Sequence, residues 1–173
     1  MQEMRVVALG RDPMAVQPVL LLQETAGRRR ILPVWVGVPE ATAIELARQH
    51  IEMPRPQTHQ LLIDVVRAFG RRLEQVRITM LRDSVFHAEL VLDGDTRVSA
   101  RVSDAVAIAL HVGVPIQAEE AVLDEAAVTE VGGLGSALDD EEDEDASEGL
   151  SMEEVERFRE FLDNATPEDF GKP

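Results

Sequence analysis

Two acidic residues in this chain stand where they could share one task. Glu40 follows Val38-Pro39, and Asp104 follows Val102-Ser103. Proline suits the first turn of a helix and serine suits its cap, so each carboxylate falls where it complements the positive end of a helix dipole. That structural role suffices by itself. Brought together, the pair would also suit one hard cation such as Mg²⁺ or Mn²⁺, which takes one or two carboxylates and keeps several waters. Arg101 stands just ahead of Ser103-Asp104, where it can pair with Asp104 or face a phosphate.

The histidines offer less. His59 opens a helix beside Thr58, and imidazole ordinarily titrates near neutrality, so it is a candidate acid or base. His50 and His111 fall near helix C-termini, where the dipole favours a cation, and His87 falls on a strand. None has the His-x-x-x-His spacing of a metal site, and a structural role is sufficient for each. Trp35 is the only tryptophan. It reads as a packing anchor first and as a substrate contact second. The chain has no Gly-rich phosphate loop and no Ser-His-Asp set in recognisable context. It also has no cysteine, which excludes a disulfide framework, a thiolate metal site and a cysteine nucleophile. Nothing calls for an organic cofactor.

The elements that would hold these residues repeat. Strands are expected at Met4–Gly10, Pro18–Glu24 and Arg29–Val36, then helices from Pro39 to about His50 and over His59–Phe69, the second capped by Thr58. The order begins again with strands at Leu73–Leu81, Val85–Leu92 and Arg97–Val102. A turn at Asp93-Gly94-Asp95 separates the last two. Ser103 is expected to cap a helix over Asp104–Val112, and a short helix follows over Glu119–Ala126. Val38–Leu46 aligns without gaps on Val102–Leu110, and Arg5–Leu9 on Arg77–Leu81. An internal duplication follows: two β-β-β-α-α units sharing one curved, barrel-like, mostly antiparallel sheet, in an α+β fold. The helix after Asp104 carries no further charge, so it should be buried.

Charge divides the chain. Of a net −16, residues 1–130 carry −4 and residues 131–173 carry −12. With 173 residues and 45% hydrophobic content, one domain over 1–130 is expected. An acidic, disordered linker over 131–150 follows, built around the unbroken run Asp139–Asp145. A short amphipathic helix and tail fill 151–173. A helix of that length is unstable alone, so its stripe over 152–162 should dock on the domain or on a protein partner. The acidic run is either a solubilising linker or a polyanion that fills an Arg-lined groove. No stretch is long and apolar enough to span a bilayer. The default is a cytoplasmic protein without membrane contact, and a homo-oligomer is compatible with everything above.

Several stretches together resemble the bifunctional nuclease domain family. They are Arg5-Val6-Val7-Ala8-Leu9 with Gln17-Pro18-Val19, Leu32-Pro33-Val34-Trp35-Val36-Gly37 leading to Glu40-Ala41, and Pro54-Arg55-Pro56-Gln57-Thr58-His59-Gln60-Leu61. Phe86-His87-Ala88 and Ala100–Leu110 with Val114-Pro115-Ile116 complete the set. The C-terminal segment resembles that of actinobacterial members. The resemblance implies a duplicated three-strand, two-helix fold and cleavage of both DNA and RNA, hence a nucleic-acid partner. Two positions depart from the family pattern: Gln60, where Asp is common, and Val102, where Pro is common. The family pattern supplies no catalytic set; for such an activity the residues themselves suggest that a divalent cation held by Glu40 and Asp104 activates water, Arg101 stabilises the phosphate oxygens, and His59 moves the proton. Arg55 and Trp35 would contact substrate.

Overall fold

Four consecutive apolar residues, Val19–Leu22, need cover on both faces of a strand, and they receive it. Leu20 and Leu22 enter the main core, while Val19 and Leu21 form a smaller cluster with Ile31 on the other face. Their strand, β2 (Pro18–Glu24), runs antiparallel between β1 (Gln2–Arg11) and β3 (Ile31–Trp35). A second antiparallel trio consists of β4 (Leu73–Arg82), β5 (Val85–Leu92) and β6 (Thr96–Arg101). The computed structural model describes residues 1–11, 17–51 and 53–129, except the side chain of Arg11. The acidic linker and the C-terminal helix expected from the sequence lie outside the described residues, as does most of the turn at Arg11-Asp12-Pro13.

A short strand absent from the sequence reading joins the two trios. β7 (Ile116–Ala118) pairs antiparallel with β1 and parallel with β4. The sheet order is therefore β3-β2-β1-β7-β4-β5-β6, a curled half-barrel of the expected α+β class. The trios share one irregularity. The register shifts between Val6 and Ala8 in β1 and between Ile78 and Met80 in β4, which are aligned positions in the two halves.

Helices α1 (Val38–Arg48) and α2 (Thr58–Ala68) follow the first trio, and α3 (Val102–Val112) follows the second. The uncharged run of α3 is buried from Ala105 to Ala109, packed on α1 and on β4 and β5. Gly113 ends it in the left-handed conformation, φ 76°, where a Cβ would be strained. Two expected caps sit one or two residues inside their helices. The N-caps are Gln57 and Arg101, not Thr58 and Ser103, because extended chain runs directly into each helix. Trp35 is no packing anchor: at the end of edge strand β3 it is 46% exposed.

The last helix, α4 (Glu120–Ala126), is tied to the β2–β3 turn by charge. Arg30 is only 4% exposed. Its guanidinium donates to Glu24 at 2.8 Å, Glu120 at 2.6 Å and Asp124 at 2.7 Å. Val128, just beyond α4, exchanges two backbone hydrogen bonds of 2.8 Å with Ile31 and so covers edge strand β3. Hydrogen bonds from Arg30 hold the Glu24 carboxyl below its ordinary range despite burial, which alone would raise it. Arg30→Met would leave the Glu24 charge buried without its ion-pair partner, with only the backbone N–H of residue 30 still donating to it. Denaturant unfolding at neutral pH should find the variant destabilised by about 3–5 kcal/mol. A carboxyl whose folded pKa is lowered stabilises at pH above its unfolded value and loses that contribution as pH falls through the folded one. The stability gap between wild type and variant should therefore shrink in acid, below about pH 4. A gap under about 0.5 kcal/mol at pH 7 would contradict this role.

Candidate active site

The two halves of the fold each end a strand and begin a helix at the same place. β3 leads through Gly37 into α1, and β6 leads through Arg101 into α3. Gly37 and Arg101 are the two N-caps, and Glu40 and Asp104 are both the third helical residue. Because α1 packs on α3, the two first turns lie side by side. The sequence alignment of the halves thus translates into proximity of the two carboxylates.

Arg101 joins them. Its Nε donates to Asp104 Oδ2 at 2.8 Å and its Nη2 to Asp104 Oδ1 at 3.1 Å, a bidentate fork. Its Nη1 donates to Glu40 Oε1 at 2.9 Å. A guanidinium has five N–H donors, so two remain for another acceptor, and the side chain is 67% exposed. The aligned position in the other half is glycine for a steric reason. A Cβ on Gly37 would collide with Oε2 of Glu40. One half therefore supplies the bridging side chain, and the other supplies the room.

A third helix start completes the group. His59 is the second residue of α2, and its Nε2 lies 3.1 Å from Asp104 Oδ1. A carboxylate only accepts, so Nε2 carries the proton, and Nδ1 is left as the basic nitrogen of the neutral ring. Burial alone would raise the Asp104 pKa, but hydrogen bonds from Arg101 and His59 overcome it and hold this carboxyl below its ordinary value. The two carboxylates push the Arg101 pKa up, Asp104 foremost. Asp104 and the guanidinium are therefore both charged across the neutral range. The group lines an open cleft of about 490 Å³, walled also by Pro39, Leu46, Pro56 and Gln57.

The sequence-derived site residues are thus placed unevenly. Glu40, Asp104, His59 and Arg101 converge. Arg55 lies nearby, in an adjoining cleft, and Trp35 lines neither cleft. Gln60 also belongs to the adjoining cleft, so its departure from the family's usual Asp removes no carboxylate from this group. Gly37 is a residue the sequence reading does not single out, although its alignment with Arg101 marks it. His111, expected to serve as a cation at a helix end, is instead disfavoured in its charged form, first by burial and then by His59 and His50. The signal was its position two turns after Asp104, on the same face of α3.

The arrangement does not fit a divalent cation between Glu40 and Asp104. The oxygens that would ligate it accept from Arg101, whose positive charge fills that role, and Glu40 Oε2 lies back over Gly37. Among the described residues no three His, Asp or Glu side chains form a metal-holding group. What the cluster offers instead is a ring nitrogen positioned by a carboxylate and a guanidinium with donors to spare. Gly37→Ala should displace Glu40 and free one arm of Arg101 while leaving the fold intact. The Arg101 Nη1–H resonance, which the bond to Glu40 should protect from exchange in the wild type, should exchange measurably faster in the variant. An unchanged exchange rate would show that Glu40 does not hold the guanidinium.

The model of the bifunctional nuclease domain matches residues 20–131. An uncharacterized protein of Mycobacterium tuberculosis, found in two strains, is 48% identical over 170 residues, which is 98% of each chain. Bifunctional nuclease 2 of Arabidopsis thaliana is 28% identical over 83% of this chain and 44% of its own length. Bifunctional nuclease 1 of the same plant is 26% identical over 83% of this chain and 45% of its own. The chain belongs to the bifunctional nuclease domain family.

Proposed function

We propose that the protein hydrolyses phosphodiester bonds of nucleic acid, DNA and RNA alike, at the cleft where Arg101 bridges the two halves. The observation that carries this reading is the convergence of His59, Asp104 and Arg101 on one open cleft. Family membership and the names of the Arabidopsis relatives support it.

In this reading the two unused N–H groups of Arg101 take the non-bridging oxygens of the phosphate. They hold more strongly as charge builds on those oxygens in the transition state. Three helix starts add their partial positive charge at the same place. His59 Nδ1 accepts a proton from water, and the water oxygen forms the new bond to phosphorus. The opposite P–O ester bond breaks, and the leaving oxygen takes a proton from solvent. Asp104 keeps the ring oriented and stabilises its charged form. Attack by water needs no 2′-hydroxyl, so the same steps serve DNA and RNA. Glu40 positions Arg101 without touching substrate.

The experiment is cleavage of single- and double-stranded DNA and RNA by highly purified full-length protein. His59→Ala and Arg101→Ala should each lower the rate by about a hundredfold or more, with circular dichroism unchanged. The double variant Glu40→Gln, Asp104→Asn should be equally impaired. Wild-type cleavage by that variant would reject the assignment. EDTA should leave the wild-type rate within about twofold. Loss in EDTA with recovery in Mg²⁺ or Mn²⁺ would return the carboxylates to a cation and overturn the metal-free steps.

A second reading, a non-catalytic module that binds a protein partner, has one observation in its favour. Leu61, Leu62, Val65 and Phe69 form an exposed apolar stripe along α2, with Phe69 80% exposed. Absence of any cleavage that His59→Ala reduces would favour this reading over hydrolysis.

A further inference from the structure

A second cleft, of about 450 Å³, opens beside the first and shares its Leu46, Pro56 and Gln57 walls. Its polar side chains are His50, Arg55, Gln57, Gln60 and His111. None of the described residues lining it is acidic, in a chain with 33 acidic residues. Arg55 is exposed and makes no ion pair among the described residues. Gln57 precedes α2 without capping it by its side chain. Gln60 gives its amide N–H to Asp64 at 3.0 Å, which leaves its carbonyl oxygen as an acceptor. Leu46, Ile51 and Met53 supply apolar wall.

Beside this cleft, one ring nitrogen has a polar demand that the described residues leave unmet. Nε2 of His111 is buried and has no hydrogen-bond partner among the described residues. A buried polar atom without a partner calls for an explanation, and a shift of the ring toward a ligand in the adjoining space would supply one. The volume falls in the range of small-ligand sites, with apolar walls and a few convergent polar groups.

We infer that this cleft is the subsite for the nucleotide next to the scissile phosphate. Arg55 takes the flanking phosphate, the base lies on the wall of Leu46, Ile51 and Met53, Gln57 and Gln60 meet the edge of the base, and the His111 ring lies against it. The inference rests on the hydrolase reading above and deepens it. It adds a nucleotide-sized contact on one side of the reacting bond and names the residues that would set base preference. The lack of a carboxylate among the described lining residues matters here, because a phosphate is repelled by negative charge.

The test is binding, read without turnover. The full chain is titrated calorimetrically with thymidine 3′,5′-bisphosphate and with the base-less 2-deoxyribose 3,5-bisphosphate. The nucleotide should bind at least about tenfold more tightly than the sugar bisphosphate. Arg55→Ala should weaken both ligands, and Gln60→Ala should weaken the nucleotide alone. The nucleotide should also shift the His111 ring resonances. Equal affinity for the two ligands, or ring shifts confined to His59, would overturn the subsite. Its failure is distinct from failure of the hydrolase reading. Nucleotide binding there without cleavage would count against hydrolysis and leave the subsite standing. Cleavage with equal affinity for the two ligands would do the reverse.

Discussion

Arg101 can bridge Glu40 and Asp104 only if two helix starts, 64 positions apart along the chain, are held side by side. Most of the architecture serves that requirement. Each trio of strands leads within two residues into the start of a helix, and β7 stitches the trios into one sheet. The uncharged α3 then packs on α1 because burial of its apolar surface leaves it no other stable place. The guanidinium is the polar consequence of that apolar packing. Two carboxylates this close would repel, and a forked cation between them removes the conflict.

The same geometry gathers three helix N-termini, those of α1, α2 and α3, around one cleft. Their partial positive charges, with Arg101, offset the two carboxylates that share this cleft. The acidic surplus is largely elsewhere in the sequence, in residues 131–173. A body near charge balance, with arginine as its only basic residue type before residue 131, is better suited to a phosphate backbone than a net charge of −16 suggests.

The internal alignment made the site legible. Once Val38–Leu46 is laid on Val102–Leu110, Glu40 and Asp104 become equivalent, and the packing of α1 on α3 brings them together. The convergence of His59 was legible only as a helix start beside a cap, since nothing local says that α2 lays its first turn against α3. β7 was not legible, because Ile116-Gln117-Ala118 is too short for a period and is ordered by two neighbours far away in sequence. Trp35 misled because large aromatic residues usually anchor cores, whereas this one closes an edge strand. His111 misled in the other direction: a helix end favours the cation, but burial removes water from the ring, and that effect prevails.

The central claim is that Arg101 and Asp104 act as one unit on a phosphodiester. A double-mutant cycle on the cleavage rate, with Arg101→Met and Asp104→Asn singly and combined, tests it directly. If the two act together, the combined variant should be no slower than the slower single variant, within about threefold. Losses that multiply independently would contradict a shared role and separate the guanidinium from the carboxylate it grips.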